Sequence, residues 1–327
     1  MKTLSKAKGT DFIVLNLTDI QLSNEEWEEG HKHRKILEHT VKDLVERVKP
    51  DLITLSGDLS WAGHDFAYDM LADFLDSFKI PWAPVWGNHD NQNGPECIER
   101  VVERYMKHAY CVYEKGDPAI GNGNYVIAVE EEGRVVEGIF MMDSHDRETY
   151  TDADGEEKKA WAKLTAPQLE WYREQNRLLK GKGCNDTTII MHIPFYAYRA
   201  ASQAAYAEGV DLKNLTVKES EGTACWKEGY QDSYGVQYEG IGSYVAEDGV
   251  FDVVKQEGTT KHVIVGHDHV NNWIIRYEGV NLIYGLNTGA GCYWTPELNG
   301  GTVIRISEDG VRQVYHEYVD VKMFLTE

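Results

Sequence analysis

The stretch Pro81-Trp-Ala-Pro-Val-Trp-Gly-Asn-His-Asp90 decides how the chain reads. Its first half is a short apolar run of the length of a buried strand, and its second half turns polar at once. The same junction occurs twice upstream. Asp51-Leu-Ile-Thr-Leu-Ser56 runs into Gly57-Asp58, and Phe12-Ile-Val-Leu-Asn-Leu17 stops at Thr18-Asp19. Helical spacing fills the intervals. Ile36, Leu37, Val41, Leu44, Val45 and Val48 recur on one face before Pro50, and a second amphipathic helix covers about 65–78. Ser23 followed by Glu26 forms a capping box, which predicts a helical stretch over about 25–49. Strand, helix, strand, helix, strand is the order of a parallel sheet.

Downstream, strands are expected around 125–129 and 135–142, then a helix over about 166–179 and a strand at 187–191 ending at His192. Residues 196–242 are rich in Tyr, Gly, Ala and charge without a clear period, which predicts loops and short helices over the active-site face. A helix near 250–256 precedes the strand 262–265, which opens onto Gly266-His-Asp-His269. The tail alternates strand and turn at 273–277, 280–284, 301–306 and 311–318, the pattern of antiparallel strands closing a sheet. With no repeat and no linker, one domain over 1–327 is expected, with its excursion at about 196–244.

The 327 residues, 42% of them apolar, suffice for one large domain or two ordinary ones. Asp plus Glu number 54 against 33 for Lys plus Arg, a formal charge of −21, which argues against nucleic-acid and anionic-membrane partners. Bound divalent cations would invert the field inside one pocket. The five cysteines, Cys97, Cys111, Cys184, Cys225 and Cys292, contain no CxxC pair and imply neither a disulfide framework nor a zinc ribbon. The apolar run at 12–17 is too short for a signal-peptide core or a membrane span, so a cytoplasmic protein is expected.

Asp19, Asp58, Asn88, His192, His267 and His269 each follow an apolar strand. Ligands of open α/β sheets bind outside the carboxyl ends of strands, so these residues can converge although they are far apart in sequence. Carboxylate, amide and imidazole donors together suit Mn, Fe, Zn or Ni, and a pair of ions needs a shared carboxylate.

The ordered series Asp19-Ile-Gln21, Gly57-Asp58, Gly87-Asn-His-Asp90, His192 and Gly266-His-Asp-His269 resembles the signature of the calcineurin-like metallophosphoesterases. Residues 82–90 and 266–271, with Gly235-Val-Gln-Tyr-Glu-Gly240 and Thr288-Gly-Ala-Gly-Cys-Tyr293, are similar to the small purple-acid-phosphatase-like enzymes of plants and fungi. The resemblance implies a four-layer αββα sandwich with two mixed β-sheets. It also implies hydrolysis of a small-molecule or phosphoprotein phosphate ester, a monoester first and a diester as the alternative, by a metal-activated water at a dinuclear centre. In that pattern Asp58 bridges two ions, Asp19 and His269 hold the first, and Asn88, His192 and His267 hold the second. His89 meets the phosphate and protonates the leaving group, with Asp90 orienting its imidazole.

The first block departs from the usual Asp-x-His. Gln21 stands at the histidine position, and Trp61 occupies the place where purple acid phosphatases carry a tyrosine. The amide oxygen of Gln21 is a neutral substitute donor, and other superfamily members carry Gln here. A non-catalytic protein with a site decayed at Gln21 is the competing reading. His89 and Asp90 argue against it, since a bare scaffold would have no use for them. His31, His33 and His39 read as a solvated helix face, His64, His145 and Arg199 as bystanders near the pocket, and Asp143 and Ser144 as structural support.

Overall fold

A computed structural model describes residues 1–61 and 65–325. The chain runs through β1 (Lys2–Ser5), β2 (Phe12–Leu17), α1 (Lys32–Val48), β3 (Leu52–Ser56), α2 (Asp65–Asp76), β4 (Trp82–Val85), α3 (Asn88–Asn91) and α4 (Pro95–Tyr105). Next come β5 (Tyr125–Glu131), β6 (Arg134–Met141), the hairpin β7 (Arg147–Thr151) and β8 (Glu157–Trp161), α5 (Ala166–Gly181) and β9 (Thr187–Ile190). The remainder is α6 (Ala197–Ala205), α7 (Val217–Ser220), α8 (Val250–Glu257), β10 (Thr260–Val265), β11 (Ile274–Tyr277), β12 (Val280–Tyr284), β13 (Gly300–Ser307) and β14 (Gly310–Tyr318).

Two mixed sheets result, one ordered β1-β5-β6-β9-β10-β12-β11 and the other β14-β13-β2-β3-β4. In β6-β9-β10 and β2-β3-β4 the parallel strands are joined through helices, while β12 joins β10 in parallel by way of β11. The pairs β5-β6, β11-β12 and β13-β14 are antiparallel hairpins, β13 also runs antiparallel to β2, and β1 lies parallel to β5 at the edge.

Alternation along the larger sheet separates two cores. Ile127, Ile139, Ile190, Ile264 and Ile283 point toward the smaller sheet, while Val126, Phe140, Ile189, Val263 and Leu282 join Tyr172, Leu179, Ala201 and Val254 from α5, α6 and α8. On the smaller sheet, a Cβ at Gly301 would meet Leu15 and Leu44, which places α1 over the face that Leu15 occupies. Asn16, on the opposite face, comes within 3.0 Å of where a Gly285 Cβ would sit, so that face looks toward the larger sheet. The layers are therefore helices, sheet, sheet, helices, and the strand ends of both sheets share one edge.

Several expectations shift. Ser23 and Glu26 do exchange the bonds of a capping box, at 2.8 and 3.4 Å, but they close only a turn. Gly30, at φ +85°, ends that turn, and α1 starts at Lys32 with His31 as its cap. The tail does not close one sheet. β11 and β12 extend the larger sheet, while β13 and β14 add to the smaller one beside β2. The 196–244 excursion carries α6, α7 and irregular chain held by single bridges such as Gln237 to Asn271. Among the described residues no helix is long and apolar enough to cross a membrane.

Candidate metal centre

Asp19 and Asp58 follow β2 and β3, Asn88 opens α3 just after β4, and His192, His267 and His269 follow β9 and β10. The sheets are stitched together here. The Thr288 amide donates to the Thr18 carbonyl at 3.0 Å, and the His267 amide lies 3.2 Å from Asp19 Oδ2. Asp19, Asp58 and His269 offer ligand atoms within 4.8 Å of one another. His269 Nε2 is 3.3 Å from Asp19 Oδ1; His192 Nε2 is 3.3 Å from Asp58 Oδ2 and 3.1 Å from Asn88 Oδ1. The other ring nitrogens are committed. His192 Nδ1 donates to the Ser56 carbonyl and His269 Nδ1 to the Tyr293 carbonyl, both at 2.8 Å. A carbonyl can only accept, so each Nδ1 carries a proton and each Nε2 is turned to the carboxylates, the position from which it could ligate a metal once deprotonated. The His267 ring stands 5.2 Å from that of His192, centre to centre.

Backbone conformation makes these approaches possible. Asp19, Gln21, Asp58 and His267 all have positive φ, at 53°, 46°, 51° and 78°. Such conformations cost about 1 kcal/mol or more each and persist only where surroundings enforce them. The Asp19 amide bonds to the Gly57 carbonyl at 3.2 Å and the Gln21 amide to the Asp58 carbonyl at 3.1 Å. Gly87 and Gly266 supply clearance: added Cβ atoms would lie 2.1 Å from Asp58 Oδ1 and 2.0 Å from Thr18 Oγ1.

Gln21 sits inside this cluster. Its amide nitrogen donates to Asp58 Oδ2 at 2.5 Å, and its Oε1 is buried without a hydrogen-bond partner among the described residues. An orphaned buried acceptor costs about 1–3 kcal/mol, which a cation beside it would remove. With two imidazole Nε2 atoms turned to two carboxylates, the donor set fits hard or borderline metal ions.

Asp90 departs from the expected role. Its carboxylate accepts from the amides of Gly87 at 2.8 Å, Leu59 at 3.1 Å and Ser60 at 3.4 Å, and from the Tyr68 hydroxyl at 2.7 Å. These bonds tie the loop after β3 to the loop after β4 and consume the lone pairs that would have faced His89. Asp90 therefore has a structural use that a decayed site would keep as well. His89 is flanked instead by Trp61, with ring centres 4.2 Å apart, and its Nε2 lies 3.9 Å from Asp58 Oδ2.

The profile of the calcineurin-like phosphoesterases matches residues 12–271. The chain belongs to that family. Within it, the chain is 25% identical over 274 residues to an Arabidopsis thaliana protein named "Probable inactive purple acid phosphatase 29", covering 76% of this chain and 62% of that one. It is 24% identical over 321 residues to the Saccharomyces cerevisiae protein named "Phosphatase DCR2", covering 90% and 50%. The chain thus spans half to just under two thirds of these curated relatives. A crystal structure of a dimetal phosphatase from Danio rerio shares the fold, with a TM-score of 0.56 at 15% identity over 94% of this chain and 98% of that one.

Around the centre of this calcineurin-like chain, burial alone would raise the Asp19 and Asp58 carboxyls, yet the facing imidazoles hold both low. The same pairing overrides burial at His192 and His269 and raises them. His267 has burial and the His192 charge against it and falls to about 3, so it is neutral.

A cavity of about 290 Å³ opens beside His89, walled by Trp161, Glu239, His267, His269 and Tyr293. Trp161, Glu239 and Tyr293 were not singled out as site residues. The signal was partly present, since Glu239 and Tyr293 lie in the two blocks similar to the small enzymes, but Trp161 ends a charged segment with no motif. His145 bonds to Gln168 at 2.8 Å behind α3, and Arg199 bonds to Ser243 at 2.6 Å. Asp143 accepts from Asn91 of α3 at 3.1 Å and Ser144 from the Ile193 amide at 2.9 Å, both supporting the site from behind. His31 caps α1, His33 bonds to Glu26 and His39 packs on Phe324. His64 lies outside the described residues.

Proposed function

We propose that the chain hydrolyses a phosphomonoester at this centre using two divalent or trivalent metal ions, with Mn, Fe, Zn and Ni the ions its donors suit. Asp58 would bridge them, with Asp19, His269 and Gln21 Oε1 on one side and Asn88, His192 and His267 on the other. When bound, such a pair acidifies water and neutralises charge on the phosphoryl oxygens. The chain's own residues do the rest. The Ser56 and Tyr293 carbonyls hold the imidazoles in the ligating tautomer. His89, partly exposed on the cavity wall, carries the proton to the departing alkoxide. Residues 1–327 are read as one domain whose 196–244 excursion supplies a wall of that cavity.

The observation that carries this reading is the convergence of the Asp19, Asp58 and His269 ligand atoms, joined by a buried Gln21 oxygen that no group among the described residues satisfies. A decayed site would have no reason to keep that oxygen unpaired. Hydrolysis of a diester at the same centre is the second reading, since the same pair of ions serves both. The test is chelation followed by metal reconstitution, with turnover of matched aryl phosphate monoesters and diesters. Metal-dependent turnover, faster on the monoester, is expected. Equal turnover by chelated and metal-loaded protein would overturn the proposal.

A further inference from the structure

We infer that the cavity beside the centre selects a phosphate ester whose alcohol is cationic, a protonated amine or a quaternary ammonium, with Glu239 as the selecting residue. The inference rests on the phosphatase reading above and extends it to the leaving group. Among the described residues lining the cavity there is no lysine or arginine, while Glu239 and Asp268 both face it. At the mouth, beyond the ions that would invert the field at the centre itself, a second anionic group on the substrate would meet repulsion from Glu239, whereas a cation would meet attraction.

Glu239 is a built feature. Its Oε1 accepts from the Val270 amide at 3.0 Å and its Oε2 from the Tyr293 hydroxyl at 2.9 Å. The backbone beneath is pinned as well. Gln237 bridges to Asn271, and the Gly242 amide donates to Asp268 at 3.0 Å. At Gly240, which also lines the cavity, an added Cβ would meet nothing within 4 Å. Asp268 is buried beneath Tyr284 and Gly242, whereas Glu239 is only half-buried, which makes Glu239 the carboxylate at the mouth.

Two aromatic rings complete the cation site. Tyr293 lies flat on His269, 4.3 Å away at 6°, and is half exposed; Trp161 stands edge-on to His267 at 4.3 Å. Trp161 already carries one cation, the Arg147 guanidinium 3.7 Å from its ring centre and outside the cavity lining. A carboxylate that shares a cavity wall with aromatic rings is the chemistry that binds alkylammonium groups.

The experiment compares kcat/KM for phosphocholine and for 3,3-dimethylbutyl phosphate, its uncharged carbon isostere, in metal-loaded protein and in Glu239→Gln. The native protein should prefer phosphocholine by about tenfold or more, and the ratio should fall to within about twofold of one in E239Q. The ratio is read within each protein, so a general loss of activity cancels. A native ratio near one, or a ratio retained in E239Q, overturns the inference. If E239Q does not fold, the native protein still decides: choline should inhibit nitrophenyl phosphate turnover about tenfold more tightly than 3,3-dimethylbutanol, and equal inhibition overturns the inference. Nitrophenyl phosphate also separates the two levels. Its turnover without a cation preference sinks only the leaving-group inference, while no metal-dependent turnover of any ester sinks the phosphatase reading beneath it.

Discussion

Four donors end on the Asp90 carboxylate, from Gly87, Leu59, Ser60 and Tyr68, so its loss should loosen two loops rather than misplace one ring. Asp90→Ala is expected to cost about 2–4 kcal/mol of stability, seen in urea melts, and to slow good and poor leaving groups alike. His89→Ala should do the opposite. It should leave stability nearly unchanged and slow alkyl phosphates by about 10²–10⁴-fold, with a much smaller effect on nitrophenyl phosphate. An equal loss on both ester types would make His89 a phosphate-positioning group. Gln21 carries a separate expectation. A neutral amide oxygen binds borderline ions less tightly than imidazole, so Gln21→His should tighten the first site and shift it toward Zn²⁺. It also removes the 2.5 Å bond to Asp58. Metal titration with anomalous scattering at two edges checks this, and unchanged occupancy in the variant would show that Gln21 is not a ligand.

At the scale of elements, the turn from β4 into α3 works only because Gly87 has no side chain. Its φ of −96° suits any residue, so Gly87→Ala would act through the clash with Asp58 alone. The variant should lose metal affinity by at least about tenfold in calorimetric titration, whereas Gly181→Ala, where a Cβ meets nothing within 4 Å, should be silent. Retained affinity in Gly87→Ala would mean that Asp58 can shift without leaving the centre. The strands that carry the donors were legible in the sequence because each is a largely buried, mostly apolar or β-branched run ending in a polar residue. Elements with little burial were not. β1 is mostly exposed, β7 buries none of its residues and β8 opens on three exposed charged ones, so none shows a core-facing apolar period. α4 is different: Ile98, Val101, Val102 and Tyr105 do share a face, and that signal was there to be read. The start of α1 misled because a capping box satisfies the same amides in a lone turn as in a helix. Asp90 misled because adjacency in sequence says nothing about where a carboxylate points.

At the scale of the molecule, Glu137 is buried in the larger sheet with Oε1 accepting from Thr188 at 2.9 Å and Oε2 without a partner among the described residues. Burial, with Asp186 adding to it, outweighs the Thr188 hydroxyl and pushes its carboxyl from 4.5 up to about 8. Between those values the folded state keeps a proton that the unfolded state has lost. Its contribution to stability is therefore full below the unfolded value and declines as pH rises toward about 8. Glu137→Gln should match the metal-free native protein at pH near 5 and become the more stable of the two by about 1–3 kcal/mol near pH 8. A difference that stays constant with pH would show that Glu137 is not protonated in the fold. The placement of β2 between β3 and β13 has a different consequence, one for synthesis. On the ribosome β2 meets β3 almost at once, but its other edge pairs with residues 302–306. At about 5–20 residues per second that edge waits tens of seconds for its partner. For that interval the nascent chain presents an apolar, unpaired strand, a template for association with its neighbours on a polysome. Slower translation, or less chaperone cover over β2, is therefore expected to lower the yield of folded protein.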